Sequence, residues 1–151
     1  MLEAGIYVAV FRLAQVCRLE IGCLGRWALP AGDYAYVGSA QRNLAARVAR
    51  HARRQKPLRW HIDYLSVHAP LVGALLLPGG KSLECRVAAV LARCYPRPIA
   101  GFGASDCRCG GHLFRVRGVG ALPPRRPLPA KPAAAILCAE ACGRSRPWRC
   151  S

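Results

Sequence analysis

The sequence has no long apolar run and no recognisable export signal. Its best apolar candidate, residues 69–78, is interrupted by Pro70 and Gly73, whereas a membrane-spanning helix needs about 20 apolar residues. The first eleven residues carry Glu3 and no basic residue, which is not the pattern of a secretory signal. We therefore expect a cytoplasmic protein with no membrane partner, whose nine cysteines are thiols or metal ligands rather than disulfides.

Acidic residues are scarce. The 151 residues include 7 Asp and Glu against 23 Lys and Arg, which gives a formal net charge of +16, and 20 of the 23 basic residues are arginine. Arginine forks match phosphate geometry and stay charged at any working pH. This excess predicts attraction to polyanions, with nucleic acid as the first candidate. The alternative is a genome rich in arginine codons, which would raise the charge without any partner.

The hydrophobic pattern predicts an α+β fold with a small, mostly antiparallel sheet flanked by helices. Strands are expected at residues 5–13, 17–25, 34–38, 70–78 and 112–118, and helices at residues 44–54, 59–66 and 83–95. We expect an extra N-terminal hairpin at residues 17–31. The run 70–78 is apolar throughout, which favours a central position in the sheet. Asn43 and Ser82 are the expected helix caps, and the expected buried face of the last helix consists of Leu83, Val87, Val90 and Leu91.

Composition divides the chain near residue 120. Residues 121–151 hold six of the twelve prolines and six basic residues against one acid, and no helical period survives them. We predict one folded domain at residues 1–120 and a disordered basic tail at residues 121–151.

A basic stretch follows the third expected strand. Seven basic residues lie between Arg42 and Arg59 with no acid among them, although exposed helices usually carry acidic partners one turn away. Their absence suggests that an anionic ligand supplies the counter-charge. On the helix itself, Arg47, Arg50, His51 and Arg54 recur at helical spacing and are expected to form one polar face. The expected nucleic-acid contacts are Arg42, Arg50, Arg53, Arg54, Lys56 and Arg59.

The order of several motifs resembles the GIY-YIG nuclease superfamily. Gly5–Tyr7 and Tyr36–Gly38 stand for its two tripeptides, followed by Arg47 and His51 four residues apart and later by Glu84. The match covers residues 5–90. The trailing segments RWHIDYL, LEC, GFGASDC and HLF look like a poorly characterised subgroup sometimes associated with endonuclease III-type repair enzymes. The two tyrosines are 29 residues apart, which is longer than usual, and the extra hairpin accounts for the difference.

The resemblance implies a metal-dependent endonuclease that hydrolyses phosphodiester bonds in DNA, with RNA as the alternative substrate and a DNA repair protein as a partner. It makes Tyr7 the general base or water-positioning group, which requires its pKa to be lowered. Tyr36 would orient the water or phosphate, and Arg47 would bind the scissile phosphate. His51 would relay a proton or bind phosphate. Glu84 would hold one Mg²⁺ or Mn²⁺ ion.

Other residues leave alternatives open. Cys85, Cys107, Cys109 and His112 could bind Zn²⁺, or they could be buried thiols and a capping histidine in a glycine-rich loop, and His112 or Asp106 could instead face the active site. Asp63 is either a second metal ligand or the partner of an arginine. Trp60 either stacks on a base or belongs to the core. The alternative function is a non-catalytic nucleic-acid-binding or zinc-stabilised accessory domain with the same fold.

Overall fold

A computed structural model describes residues 2–117, and the tail predicted at residues 121–151 lies outside them. The strands are β1 (Gly5–Leu13), β2 (Cys17–Ile21), β3 (Gly25–Leu29), β4 (Gly32–Ala40), β5 (Leu71–Leu77) and β6 (Leu113–Val116). The helices are α1 (Leu44–Ala52), α2 (His61–Ser66) and α3 (Leu83–Cys94). The predicted α+β class is therefore confirmed.

Four strands form an antiparallel sheet in the order β5-β1-β4-β6. β1 and β4 pair along nine positions, and Tyr7 lies opposite Gly38. The prediction that the apolar run near residue 75 is the central strand is wrong. β5 occupies an edge beside β1, and its Val72 and Leu76 side chains are exposed. A continuous apolar run does not distinguish a central strand from an edge strand. β1 lies between β5 and β4, so the sheet continues through β4 and leaves β5 at the edge.

The extra N-terminal hairpin is confirmed. β2 and β3 form a separate two-stranded sheet, joined by a short 3-10 turn at Gly22–Leu24. Leu19, Ile21 and Leu29 are buried and attach the hairpin to the core of the domain. β3 includes residues that were expected to form a turn, because the chain reverses only at residues 30–31.

The main sheet separates two hydrophobic cores. Alternate side chains of β1 point to opposite faces, as strand geometry requires. Tyr7 and Phe11 belong to the first core, which also contains buried residues of α1, α2 and the hairpin. Ile6 and Val8 belong to the second core, which is covered by α3. The first face therefore carries α1 and the second carries α3.

Several helix details differ from the predictions. α1 starts after Asn43 as expected, but Asn43 has a left-handed φ of 51° and makes no side-chain capping bond in the described part of the chain. Ser82 likewise makes none at the start of α3. Val90 is exposed, and the buried stripe of α3 instead includes Glu84 and Ala88. No helix within residues 2–117 is long and apolar enough to cross a membrane.

Candidate functional site

Tyr7 and His51 meet inside the first core. β1 carries the tyrosine and the last turn of α1 carries the histidine, and the tyrosine hydroxyl oxygen lies 2.8 Å from Nε2 of His51. His51 was expected on the polar face of α1, and that placement is wrong because its ring turns inward to this partner. The position opposite Tyr7 is Gly38, where a Cβ atom would collide with the tyrosine hydroxyl. Gly38 therefore makes room for the Tyr7 ring.

Tyr36 completes an aromatic cluster. Its ring centroid lies 6.2 Å from that of Tyr7 and 6.2 Å from that of His51, the second contact being edge-on. Tyr7 and His51 have 0% exposure and Tyr36 has 2%. The structure thus brings together three of the four predicted catalytic residues, which come from three different elements, and it buries them.

The charge states of this cluster follow from its burial. Burial raises the pKa of Tyr7 well above its usual value, Tyr36 adds to the increase, and the opposing charge of Arg47 does not cancel it. Burial, together with the charge of Lys56, lowers the pKa of His51 to about 3. At neutral pH Tyr7 is therefore protonated and His51 is neutral, so the lowered tyrosine pKa that a general base needs is not present.

The second ring nitrogen of His51 is also buried. Its Nδ1 atom forms no hydrogen bond with any residue between 2 and 117. A neutral imidazole has one donor and one acceptor nitrogen, so the tautomer decides whether Tyr7 donates to Nε2 or accepts from it. In either case Nδ1 remains a polar atom that could bind a small ligand or water.

Arg47, the fourth predicted catalytic residue, stacks on Trp60. Its guanidinium carbon lies 4.4 Å from the indole centroid, and that of Arg50 lies 4.3 Å from it. The ring of His51 touches the same indole edge-on at 6.1 Å. Trp60 therefore holds the arginine beside the aromatic cluster. Trp60 lies directly before α2, and the sequence gave no signal that it would stack on these arginines.

Asp63 pairs with an arginine, which confirms one of the two roles predicted for it. It accepts hydrogen bonds from both terminal nitrogens of Arg50, at 2.7 and 3.0 Å, and from the backbone amides of Arg59 and Trp60. Burial would raise the pKa of Asp63, but the hydrogen bonds from Arg50 and the amides outweigh it and lower the pKa. With both oxygens engaged, Asp63 is poorly suited to a second metal.

The predicted nucleic-acid contacts divide into two groups. Lys56 is turned inward, with 3% of its side chain exposed, and it donates to the carbonyls of Arg50 and His51 at the end of α1. Arg54 is exposed but donates to two carbonyls at the end of α2. Arg50 is half-buried and paired with Asp63. The other three predicted contacts are exposed, and we call them the basic rim: Arg42, Arg53 and Arg59.

Glu84 is buried in the first turn of α3, with 2% exposure. Its Oε1 atom lies 3.1 Å from Nδ1 of His112, and its Oε2 atom accepts no hydrogen bond from the described residues. Burial raises the pKa of Glu84, and the interactions of the carboxylate with His112 and with the Ser39 side chain oppose the increase. Glu84 belongs to the stripe of α3 that covers the second face of the sheet, whereas the Tyr7 ring lies on the first. Its charge nevertheless contributes to the raised pKa of Tyr7.

A cluster of three cysteines and one histidine adjoins Glu84. One ligand atom from each of Cys85, Cys107, Cys109 and His112 lies within 4.8 Å of the others, so the cluster could hold a metal ion. The Sγ atoms of Cys85 and Cys109 are 2.8 Å apart, and Sγ of Cys107 lies 3.7 Å from Nε2 of His112. Asp106 is exposed and lies outside this set.

Comparisons with known proteins give one match. No curated protein and no solved structure matches the chain. The sequence pattern of one family, described as "Domain of unknown function DUF123", matches residues 6–122, a range that includes the aromatic cluster, Glu84 and the cysteine–histidine cluster. The chain therefore belongs to the DUF123 family.

Proposed function

We propose that the protein is a divalent-metal-dependent endonuclease that hydrolyses phosphodiester bonds in DNA, in association with a DNA repair protein. The observation that carries the proposal is the hydrogen-bonded pair of Tyr7 and His51 with Tyr36 beside it. These residues come from three elements, and their order in the sequence is the order that resembles GIY-YIG nucleases. Arg47 lies next to them through Trp60, and the basic rim supports DNA rather than a neutral substrate.

Glu84 would hold Mg²⁺ or Mn²⁺. A buried carboxylate oxygen without a hydrogen bond, Oε2, suits a hard cation, which prefers oxygen ligands and keeps water and substrate phosphate as the others. When bound, such a cation stabilises negative charge on the phosphate and on the leaving oxygen.

The other residues would bind and orient the substrate. Arg47 is half-buried and is the outermost of the four catalytic candidates, so its guanidinium would bind the scissile phosphate. Tyr7 is protonated and would donate a hydrogen bond to the phosphate or the attacking water. His51 would accept the proton that the attacking water loses, because a phosphate anion beside the imidazole favours its charged form.

A second function is favoured by the burial of the aromatic cluster. An enzyme must admit its substrate, whereas Tyr7, Tyr36 and His51 are almost fully enclosed. A core stabilised by hydrogen bonds, with no catalytic role, would show the same burial. The second candidate is therefore a non-catalytic nucleic-acid-binding accessory domain that keeps the nuclease fold and binds through its basic rim.

Nicking of supercoiled plasmid separates the two functions. We expect nicking with Mg²⁺ or Mn²⁺ and none with a chelator, and a loss of at least 100-fold in Arg47→Ala and Glu84→Gln, as for removal of a phosphate-binding or charge-stabilising group. Arg18→Ala, an exposed arginine on the hairpin, is the control and should nick normally. Tight DNA binding without cleavage of duplex, branched or single-stranded substrates would instead support the accessory domain.

We also propose that the cysteine–histidine cluster binds Zn²⁺. Three thiolates and one imidazole form an accepted tetrahedral zinc set, and thiolates disfavour the hard cations that suit Glu84. Metal analysis of the purified protein should find one zinc per chain, and Cys107→Ser should reduce that content. Zinc-free protein in which the three thiols of the cluster react freely with a thiol reagent would contradict the assignment.

A further inference from the structure

His112 faces two sites through its two ring nitrogens. Nε2 lies 3.7 Å from Sγ of Cys107, within the metal-ligand cluster, and Nδ1 lies 3.1 Å from Oε1 of Glu84. The imidazole is fully buried, so solvent water does not compete for either contact. One side chain therefore separates the thiolate cluster from the carboxylate that would hold the second cation.

The two contacts of His112 require the same tautomer. A carboxylate only accepts hydrogen bonds, so the proton of a neutral imidazole belongs on Nδ1 when that nitrogen faces Glu84. Nε2 then keeps its lone pair, which is the form that binds a metal. A metal ion on Nε2 and a carboxylate on Nδ1 therefore reinforce each other, as carboxylates that accept from metal-bound histidines do in general.

The chain connects the two sites a second time. Glu84 is followed directly by Cys85, so α3 supplies both the carboxylate and one thiolate. The other three ligands lie in the loop between α3 and β6. That loop is closed by a hydrogen bond from the Gly101 amide to the Gly110 carbonyl, and the His112 amide donates to Phe102. A metal ion in the cluster would therefore fix the loop to the first turn of α3.

The same loop also touches the aromatic cluster. Gly103 has a φ of 72°, and a Cβ atom there would lie 2.7 Å from Cε2 of Tyr36 and 3.3 Å from Cβ of His112. The Gly103 amide donates to Nδ1 of His61 at 2.8 Å. Gly103 thus packs between Tyr36 of the aromatic cluster and His112 of the metal-ligand cluster.

We propose that His112 is a positioning residue, through which a zinc ion in the cysteine cluster orients Glu84 for its own cation. With zinc bound at Nε2, the Nδ1 proton of His112 would point to Oε1 of Glu84, and this hydrogen bond would leave Oε2 for the divalent ion. The inference rests on the proposed role of Glu84 as a ligand of Mg²⁺ or Mn²⁺. It gives the zinc centre a role beyond stabilising the fold.

The variant His112→Cys separates the two roles of the residue. A fourth thiolate still completes a tetrahedral zinc site, but it cannot donate to Glu84. With the full chain loaded with one zinc, Mn²⁺ binding is measured by electron paramagnetic resonance. We expect binding 10- to 100-fold weaker than in the wild type, the range for loss of a group that orients a ligand. The control is His68→Cys, the same exchange at an exposed position, which should bind Mn²⁺ like the wild type.

A second readout tests the link without Mn²⁺. The imidazole ¹⁵N spectrum of the zinc-loaded wild type should show His112 bound to metal at Nε2 and protonated at Nδ1. A deprotonated Nδ1, or a zinc-loaded His112→Cys variant with wild-type Mn²⁺ affinity, would overturn the inference. If the wild type and Glu84→Gln bind Mn²⁺ equally weakly, the proposed role of Glu84 fails instead, and the nitrogen spectrum still decides whether zinc fixes His112 toward the carboxylate.

Discussion

The hydroxyl oxygen of Tyr7 lies 2.8 Å from Nε2 of His51, so a hydrogen bond inside the core connects the first strand to the last turn of α1. Both residues are fully buried, and each satisfies a polar atom of the other that water cannot reach. Loss of either partner therefore leaves a buried polar group unpaired, which costs more than the hydrogen bond itself contributes.

Tyr7→Phe tests that pair directly. We expect the free energy of unfolding in urea to fall by about 1–3 kcal/mol, because the buried Nε2 atom of His51 loses its partner. Tyr64→Phe removes a hydroxyl from a half-buried tyrosine on α2 and should cost less. Plasmid nicking by Tyr7→Phe should fall as well. Normal nicking by a destabilised Tyr7→Phe protein would mean that the hydroxyl is structural only.

Stability should decrease as the pH is lowered below 6.5. Burial lowers the pKa of His51 to about 3 and that of His61 to about 4, from an ordinary value of 6.5. The unfolded chain therefore binds more protons than the folded protein between those values. The stabilisation is complete above pH 6.5 and is lost as the pH falls toward the folded pKa, by up to about 1.4 kcal/mol per pH unit for each histidine.

Urea unfolding at pH 7.5, 6.0 and 5.0 measures this slope. His51→Gln should reduce the slope by the contribution of one histidine, whatever its own stability. His68→Gln changes an exposed histidine and should leave the slope at the wild-type value. An unchanged slope in His51→Gln would show that His51 has the same pKa in the folded and the unfolded protein, which would contradict the effect of its burial.

The sequence predicted the positions of the strands better than their order in the sheet. Local patterns located five of the six strands within a few residues, since alternation and turn residues act over short distances, whereas β3 lies where a turn was expected. Three of the four residues to which the motif order pointed, Tyr7, Tyr36 and His51, lie together in the structure. The edge position of β5 was missed, because strand order depends on which partner β1 finds, and that is decided by pairing between distant parts of the chain.

The burial of individual polar side chains was the property that the sequence predicted least well. Helical spacing assigned His51 to the polar face, because three arginines share that side of α1 and a histidine resembles them in polarity. Its inward turn depends on a tyrosine 44 residues away. The contact of His112 with Glu84 was likewise invisible, since it joins the loop before β6 to α3, and the sequence offered the metal-ligand and active-site roles of His112 as alternatives.

The ion pair of Arg50 and Asp63 should be among the strongest single contributions to stability. Asp63 is fully buried and faces Arg50 and Lys56, so Asp63→Asn leaves two cations without their counter-charge. We expect a loss of about 3–5 kcal/mol in the free energy of unfolding. Asp33→Asn breaks a similar pair with Arg12, whose side chain is 45% exposed, and should cost much less, because solvent screens an exposed ion pair. Equal costs would contradict the difference in burial.

The basic rim should dominate salt-dependent DNA binding. Arg42, Arg53 and Arg59 are exposed, whereas Arg50 and Lys56 face the protein, so the charge available to phosphates is smaller than the sequence suggests. Each phosphate contact contributes about 0.9 to the slope of log affinity against log salt, so replacing the three rim arginines by alanine should reduce that slope by about 3.

The matched control replaces three exposed arginines elsewhere by alanine, namely Arg18, Arg26 and Arg93. It removes the same net charge, so the general attraction of the protein for DNA falls equally in both triple variants. The slope of the control should stay close to that of the wild type, because neither the hairpin nor the end of α3 carries an expected nucleic-acid contact. If both variants lose the same slope, binding follows total charge alone, as a chain enriched in arginine only by genome composition would behave.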